Sequence, residues 1–334
     1  MDSSSLSHSK KKVVFVLGVT GSGKSKLAIA LAKCFNGEVV NSDKMQVYDG
    51  IPVITNKVTE EEREDVPHHL IGGVHPEGNF TAADFRREAT RLVEAILARG
   101  RLPIIAGGSN SYVKKLVEGD GCAFRSRYDC CFVWVDVDLT VLRDFVYARV
   151  DKMVELGLVE EARSMFKPDG DYSTGIRLSI GVREMHLYFQ SEEGVDEETK
   201  ARLLEASLDK VKANTFDLTC SQLQKIQGFR VMGWDLHRVD STEFFRQRGQ
   251  GADEELWKEV VWAPSAEIVR SFLATENKNE TDVVAEVAPV KVEDETVCAE
   301  NTVEKESQVA AKGTESEERR VSSYTGLSSA MTCA

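Results

Sequence analysis

Residues 18–25 read Gly-Val-Thr-Gly-Ser-Gly-Lys-Ser and match the phosphate-binding loop pattern G-x-x-x-x-G-K-[ST]. A β-branched apolar run, residues 13–17, precedes the loop, and apolar residues recur at helical spacing from Lys24 to Cys34. The sequence therefore predicts a strand, a glycine loop and a helix, in the order that a phosphate-binding loop requires.

The residue types in this loop indicate what it can bind. Its glycines let backbone N–H groups turn toward phosphate oxygens, and the start of the helix adds partial positive charge. Lys24 supplies a full charge, and the Ser25 hydroxyl can ligate Mg²⁺, which we expect as the cofactor. The loop alone leaves open whether the phosphates belong to ATP under hydrolysis, to a kinase donor or to a pyrophosphate leaving group.

Further apolar segments predict the rest of the sheet. Residues 39–40, 103–106 and 131–137 are strand candidates, an amphipathic helix covers 82–99, and helical periodicity dominates 139–190 and 197–226. Nearly all-apolar strands that alternate with helices imply a parallel sheet covered on both faces. The predicted fold class is α/β: a P-loop NTPase-like parallel sheet flanked by helices, with a helical C-terminal half and a disordered acidic tail.

The predicted organisation has four parts. They are a disordered N-terminus (1–12), a P-loop α/β core (13–138), a mainly helical part that completes the core and covers the substrate site (139–273), and a disordered acidic tail (274–334). The Ser- and Lys-rich start fits the trimmed end of an organelle transit peptide and fits an unstructured tail equally well. We expect plastid localisation, with the cytoplasm as the alternative.

Composition excludes several classes of protein. No apolar stretch approaches the roughly 18–20 residues of a membrane helix, so we expect no membrane partner. The seven cysteines are an odd number without metal-ligand spacing, which argues against a zinc site. The formal net charge of −13 disfavours a nucleic-acid partner.

The strand ends carry the remaining chemistry, because ligands gather at the carboxyl ends of parallel strands. Gly18, Asp43, Gly107 and Asp136 would line that edge. An ordinary P-loop ATPase has an apolar strand ending in Asp, whereas one strand here ends in Gly107-Gly108, which weakens that reading. Asp136 can hold magnesium or cap a helix. Asp43 can accept a proton from a substrate amine or hydroxyl, or merely cap the next helix.

The ordered motifs resemble a known family. GVTGSGKSKLAIALA, NSDKMQVYDGIPVITNK, PHHLIG, FTAADFRREA, GRLPIIAGGSNSYVKKLVEG and GIRLSIGVRE together look like the adenine prenyltransferases. That family includes the tRNA dimethylallyltransferases and the plant adenylate isopentenyltransferases that make cytokinins. The resemblance runs from about residue 13 to residue 239. It implies either a tRNA dimethylallyltransferase or an adenylate dimethylallyltransferase, the latter acting in the first step of cytokinin biosynthesis.

The resemblance implies roles for individual residues. The loop would bind the pyrophosphate of dimethylallyl diphosphate, and Asp43 would be the general base that takes the proton of adenine N6. Arg177 and Arg183 match paired arginines that face the phosphates, although exposed helix charges paired to nearby acids are the alternative. The implied donor site comprises Gly18, Thr20, Gly21, Ser22, Gly23, Lys24, Ser25, Arg177 and Arg183, and the implied catalytic residues are Asp43, Lys24, Thr20 and Arg183.

Two absences predict the acceptor. The tRNA enzymes carry a helical insertion after the element that reads YVKKLVEG here, and eukaryotic ones tend to carry a zinc finger; this sequence has neither. We therefore expect a free adenine nucleotide (AMP, ADP or ATP), with tRNA as the alternative, and a monomer. Candidate acceptor-binding residues are Ser42, Asp43, Lys212, Lys225 and Arg238. A P-loop kinase or NTPase, and a nucleotide-binding module without turnover, are the other readings.

Overall fold

The computed structural model describes residues 10–249, 251 and 253–275, all within one compact unit. Of the predicted disordered termini, residues 1–9 and 276–334 lie outside the described residues. The prediction of disorder was wrong for Lys11 and Lys12, which belong to the first strand because they pair with the neighbouring strand. Six strands form one sheet in the order β3-β2-β4-β1-β5-β6, and every pairing is parallel. The strands are β1 (Lys11–Gly18), β2 (Gly37–Asn41), β3 (His68–His69), β4 (Leu102–Ala106), β5 (Tyr128–Asp136) and β6 (Leu236–Asp240).

Twelve α-helices lie in the described part of the chain. They are α1 (Lys24–Cys34), α2 (Pro52–Thr55), α3 (Glu60–Arg63), α4 (Ala82–Ala98), α5 (Asn110–Arg127), α6 (Leu139–Glu155), α7 (Leu158–Ser164), α8 (His186–Ser191), α9 (Glu197–Val231), α10 (Thr242–Gln247), α11 (Asp253–Trp257) and α12 (Ala263–Ala274). Short 3₁₀ turns cover Met45–Val47 and Gly175–Leu178, and a π-helical turn covers Lys258–Trp262. Helix α5 is interrupted by four non-helical residues that begin at Gly119.

Helix α4 shows how the sequence sets these boundaries. Thr81 accepts the backbone N–H of Asp84, and the Asp84 carboxylate accepts the backbone N–H of Thr81, which forms a capping box. Behind this cap, Phe85, Ala89, Leu92, Val93 and Ile96 recur at helical spacing and are buried. The cap fixes the start of the helix, and the apolar stripe fixes the face that packs on the sheet.

Strand β1 separates two hydrophobic cores. Val13, Phe15 and Leu17 point into one core, whereas Val14 and Val16 point into the other. The predicted parallel sheet covered on both faces is therefore confirmed. No helix of the described residues is long and apolar enough to span a membrane.

The structure adds two edge strands that the sequence analysis did not predict. Strand β3 has only two residues, and β6 reads Leu-His-Arg-Val-Asp with a single fully buried side chain, that of Val239. Edge positions tolerate such short and polar strands, so their apolar signal is weak. The predicted helical half therefore also supplies β6, which pairs with β5.

Candidate active site

The phosphate-binding loop connects β1 to α1 at the carboxyl edge of the sheet. Gly21 and Gly23 have φ angles of 86° and 88°, a conformation that glycine adopts without the strain of a side chain. Helix α6 covers the loop, since a Cβ atom built on Gly21 would lie 3.2 Å from Cγ2 of Val146. The glycines therefore set the conformation of the loop, and the loop packs against α6.

Lys24 lies folded against its own loop. Its Nζ donates a hydrogen bond of 2.6 Å to the carbonyl oxygen of Val19. Burial lowers the pKa of Lys24 to about 8; the attraction of Asp43 opposes this shift and the repulsion of Arg149 adds to it. A diphosphate at this place would supply the negative charge that stabilises the protonated amine.

Asp43 follows β2 and faces the same edge, as predicted from its position. Its backbone N–H donates to Oδ1 of Asn41, and its own Oδ1 accepts the backbone N–H of Met45, both at 2.9 Å. Burial raises the pKa of Asp43, against the opposing effects of the Met45 hydrogen bond, Lys24 and Arg149. One carboxylate oxygen thus holds a local turn, and a raised pKa suits a carboxylate that accepts a proton.

Arg149 is a site residue that the sequence analysis missed. It lies on α6, three residues after Val146, and interacts electrostatically with both Asp43 and Lys24. Burial lowers the pKa of its guanidinium from the ordinary value, and Asp43 opposes that shift. In the sequence Arg149 resembles the other charged residues of the helix. Its spacing of seven from the buried Leu142 was the available indication that it lies on the buried face.

Two buried hydroxyl groups at this edge lack hydrogen-bond partners among the described residues, those of Ser22 in the loop and Ser42 next to Asp43. Buried polar groups normally have a partner from protein, water or ligand. The positions of these hydroxyls therefore fit a site that receives a polar ligand.

A magnesium ion at this site would depend on phosphate oxygens. Ser25 is exposed in the first turn of α1, where its hydroxyl is accessible. Within the described residues, no group of three or more His, Cys, Asp or Glu side chains could hold a metal ion. Mg²⁺ is usually bound by one or two protein groups plus substrate phosphates and water, and its binding near Ser25 stays a prediction.

The two predicted phosphate arginines are paired with acids. Arg177 donates to the carbonyl oxygen of Met165 and contacts Glu77 at 3.1 Å. The Nε of Arg183 lies 2.7 Å from Oε1 of Glu184. The pairing with acids matches part of the alternative that the sequence left open, but the Arg177 side chain is only 13% exposed and Arg183 lies outside a helix. A phosphate role for either arginine stays a prediction.

The structure also shows where the candidate acceptor-binding cations lie. Lys212 pairs with Asp151 at 2.6 Å, and Lys225 is exposed on α9. Arg238 on β6 contacts Asp136 at 2.6 Å, so the carboxylate considered as a magnesium ligand is bound to a guanidinium. A role for these cations toward a nucleotide stays a prediction.

Two loop N–H groups have partners in the protein, contrary to the expectation that these groups point at phosphate. The backbone N–H of Ser22 donates to the carbonyl oxygen of Val19 at 3.2 Å. The backbone N–H of Thr20 donates to Oε1 of Gln222 on α9 at 2.7 Å. A role of the Thr20 hydroxyl toward a substrate stays a prediction. Gln222, which is 202 residues further along the chain, was not among the predicted site residues.

Comparison with known proteins identifies the family of the chain. A family model described as IPP transferase matches residues 46–127 and 121–227. The chain is 55% identical over 269 residues to adenylate isopentenyltransferase 5, chloroplastic, of Arabidopsis thaliana, covering 79% of this chain and 81% of that protein. It is 48% identical to adenylate isopentenyltransferase 7, mitochondrial, of the same plant, covering 83% and 85%. A match to tRNA dimethylallyltransferase 2 of Arabidopsis has 31% identity over 388 residues, covering 82% of each chain.

Solved structures show the same fold. A eukaryotic dimethylallyltransferase acting on tRNA superposes with a TM-score of 0.66 and 23% identity, covering 80% of this chain and 81% of that one. A tRNA isopentenylpyrophosphate transferase from Bacillus halodurans superposes with a TM-score of 0.61 and 26% identity, covering 79% and 99%. The resemblance identified from the motifs is confirmed, and the chain belongs to the IPP transferase family of prenyltransferases, with plant adenylate isopentenyltransferases among its relatives.

Proposed function

We propose that this enzyme transfers the dimethylallyl group of dimethylallyl diphosphate to N6 of a free adenine nucleotide and releases pyrophosphate. The observation that carries the proposal is the convergence of Asp43, Lys24 and Arg149 at the carboxyl edge of the sheet. Two cations suit a leaving pyrophosphate, and a carboxylate with a raised pKa suits the removal of a proton from the attacking amine.

The donor would bind to the phosphate loop through its diphosphate. Backbone groups of the loop and the start of α1 would bind the phosphate oxygens, and Lys24 would leave Val19 for them. Mg²⁺ bound by Ser25 and those oxygens would neutralise part of the charge that grows on the leaving group. Arg149 would add a second cation from α6, close to both Lys24 and Asp43.

The transfer step separates charge between the pyrophosphate and the prenyl carbon. The allylic C–O bond breaks, its electron pair leaves with the pyrophosphate, and the prenyl carbon becomes cation-like. Lys24 and Arg149, which lie close to each other, would stabilise the departing negative charge. The adenine N6 forms the new bond to carbon, and Asp43 accepts the N6 proton.

Three observations support a free nucleotide over tRNA as the acceptor. The relatives with 55% and 48% identity are named adenylate isopentenyltransferases, whereas the tRNA enzyme has 31%. The alignment with the tRNA enzyme extends over 388 residues, more than the 334 of this chain, so that relative carries additional segments. At the position where an insertion was sought, the structure has only the short interruption of α5 that begins at Gly119.

The assay that tests the proposal uses purified protein, Mg²⁺ and dimethylallyl diphosphate with AMP, ADP, ATP or an unmodified tRNA in separate reactions. Mass spectrometry is expected to find one five-carbon unit added to free nucleotide. Product on tRNA alone would overturn the acceptor assignment. ATP hydrolysis without prenylated product would favour a P-loop NTPase and overturn the proposal.

Variants separate the roles of two residues. Asp43→Ala is expected to lower kcat by about 10²–10⁴-fold, the contribution typical of general acid–base catalysis, with a small change in the KM of the donor. Lys24→Ala is expected to lower kcat and also raise the donor KM, because the lysine contacts the donor before and during transfer. Full kcat in Asp43→Ala would overturn the assignment of the general base.

We further propose that the protein acts as a monomer and in the plastid. Relatives named chloroplastic and mitochondrial support an organelle as the compartment. The sequence identity is 55% to the relative named chloroplastic and 48% to the relative named mitochondrial, which favours the plastid. Imaging of a fluorescent fusion of the full chain tests the compartment, and light scattering of the purified protein tests the oligomeric state.

A further inference from the structure

The side chain of Gln222 connects the two halves of the active site. Its Oε1 accepts the backbone N–H of Thr20 in the phosphate loop at 2.7 Å, and its Nε2 donates to the carbonyl oxygen of Gly108 at 2.9 Å. The residue is only 5% exposed, and it lies near the C-terminal end of the 35-residue helix α9. A buried amide with both ends paired fixes the distance between its two partners.

Gly108 belongs to the segment that holds Asp43. The backbone N–H of Ser109 donates to the carbonyl oxygen of Ser42 at 3.1 Å, and Oγ of Ser109 accepts the backbone N–H of Lys44 at 2.8 Å. Asp43 lies between these two bonds. A Cβ atom on Gly108 would lie 2.7 Å from Nε2 of Gln222 and 3.2 Å from Oδ2 of Asp43, so the amide and the carboxylate both lie close to Gly108.

Helix α9 is itself attached to this segment. The side-chain amide of Asn110, which is 3% exposed, donates to the backbone carbonyl of Gln222 at 3.1 Å. Both the backbone and the side chain of Gln222 are therefore bonded to the turn that follows β4. The phosphate loop is attached to the same residue through Thr20.

We propose that Gln222 is a positioning residue that sets the phosphate loop at the correct distance from Asp43. This inference rests on the proposed function, in which the loop holds the prenyl diphosphate and Asp43 receives the N6 proton. Only a side chain with an acceptor and a donor at this length can bond both partners. Methionine has similar length but neither hydrogen bond, and asparagine is one methylene shorter.

The expected effect is on turnover. A displacement of reacting groups by about 1 Å can lower the rate by about 10²-fold. Gln222→Met is therefore expected to lower kcat by about 10²-fold, with changes of less than about threefold in the KM of the donor and of the nucleotide. Gln227→Met, an exposed glutamine on the same helix, is the matched control and is expected to keep kcat within about twofold of wild type.

A double variant distinguishes positioning from a general structural role. In the Asp43→Ala background there is no carboxylate left to align, so adding Gln222→Met is expected to lower kcat by less than about threefold further. A full additional loss of about 10²-fold in that background would overturn the proposal. Wild-type kcat in Gln222→Met would overturn it as well.

Thermal unfolding accompanies these assays. If Gln222→Met shows no cooperative unfolding transition, the variant is not folded, and Gln222→Asn is assayed in its place. Asparagine keeps a polar amide in the buried position but cannot reach both partners. Normal kcat in a folded Gln222→Asn would overturn the proposal, and loss of folding in both variants would identify Gln222 as structural and overturn it too. Absence of prenyl transfer by the wild type would instead contradict the proposed function, so the two failures are distinguishable.

Discussion

Lys24 has a pKa of about 8 in this structure, mainly because its ammonium group is buried beside Arg149. The amine binds an anion only when protonated, so its charge is present below pH 8 and is lost as the pH rises through that value. We predict that kcat/KM for the donor, which reports the free enzyme, falls on the alkaline side near pH 8. A bound diphosphate stabilises the protonated amine, so the fall in kcat is expected at higher pH. Steady-state kinetics from pH 6 to about pH 10 checks both.

The control for this pH dependence is Lys24→Met, which removes the titrating group. Its low residual activity is expected to lack the alkaline fall near pH 8. A wild-type kcat/KM that stays constant up to about pH 10, the ordinary range of lysine, would contradict the prediction.

At the scale of the structural elements, the ends of β2 and β4 approach each other closely through Gly107. A Cβ atom at this glycine would lie 2.4 Å from the backbone nitrogen of Asp43 and 2.4 Å from the carbonyl carbon of Ser42. We predict that Gly107→Ala lowers the free energy of unfolding by about 1–3 kcal/mol, as overpacking does, and lowers kcat by at least about tenfold because Asp43 moves. Urea unfolding and the prenyl-transfer assay measure the two effects.

Gly228→Ala provides the comparison for that change. Gly228 lies within α9, and a Cβ atom there would have no neighbour within 4 Å. Alanine is the better helix residue by about 0.5–1 kcal/mol, so this variant is expected to be as stable as wild type or more stable, with unchanged kcat. Equal destabilisation by the two substitutions would show that close approach at Gly107 is not the cause.

At the scale of the whole molecule, Lys12 joins the first strand to the last described helix. Its Nζ donates to the carbonyl oxygens of Phe272, Leu273 and Thr275 at 2.7, 3.0 and 2.5 Å. These carbonyls end α12, where a cation also suits the helix dipole. We predict that Lys12→Met lowers the free energy of unfolding by about 1.5–3 kcal/mol, the range for hydrogen bonds that involve charged groups.

The neighbouring Lys11 gives a matched control, because it lies in the same strand and is exposed. Lys11→Met is expected to change the free energy of unfolding by less than about 0.5 kcal/mol. Both variants are expected to keep prenyl-transfer activity, since neither lysine lies at the carboxyl edge of the sheet. Equal unfolding midpoints for the two variants in urea would contradict the role given to Lys12.

Features of the fold that depend on local sequence pattern could be predicted without the structure. The loop pattern gave the bounds of α1, Lys24–Cys34, and the alternation of apolar runs and helical stripes gave the parallel sheet and four of its strands. Asp43 was predicted to lie at the carboxyl edge of the sheet because it follows β2 and parallel strands end at one edge. The ordered motifs identified the family, which the comparisons confirm.

The residues that complete the site from distant parts of the chain could be identified only after the helices were packed on the sheet. Arg149 and Gln222 meet the loop because α6 and α9 pack across the carboxyl edge. The spacing of Arg149 from Leu142 indicates the buried face of α6, but it does not show that this face covers the phosphate loop. The polar strand β6 was recognisable only through its pairing with β5. The shifted pKa values of Lys24 and Asp43 likewise depend on burial, which arises when segments far apart in the sequence come into contact. Local periodicity determines helices and strands, but desolvation and hydrogen-bond partners exist only once those elements are packed together.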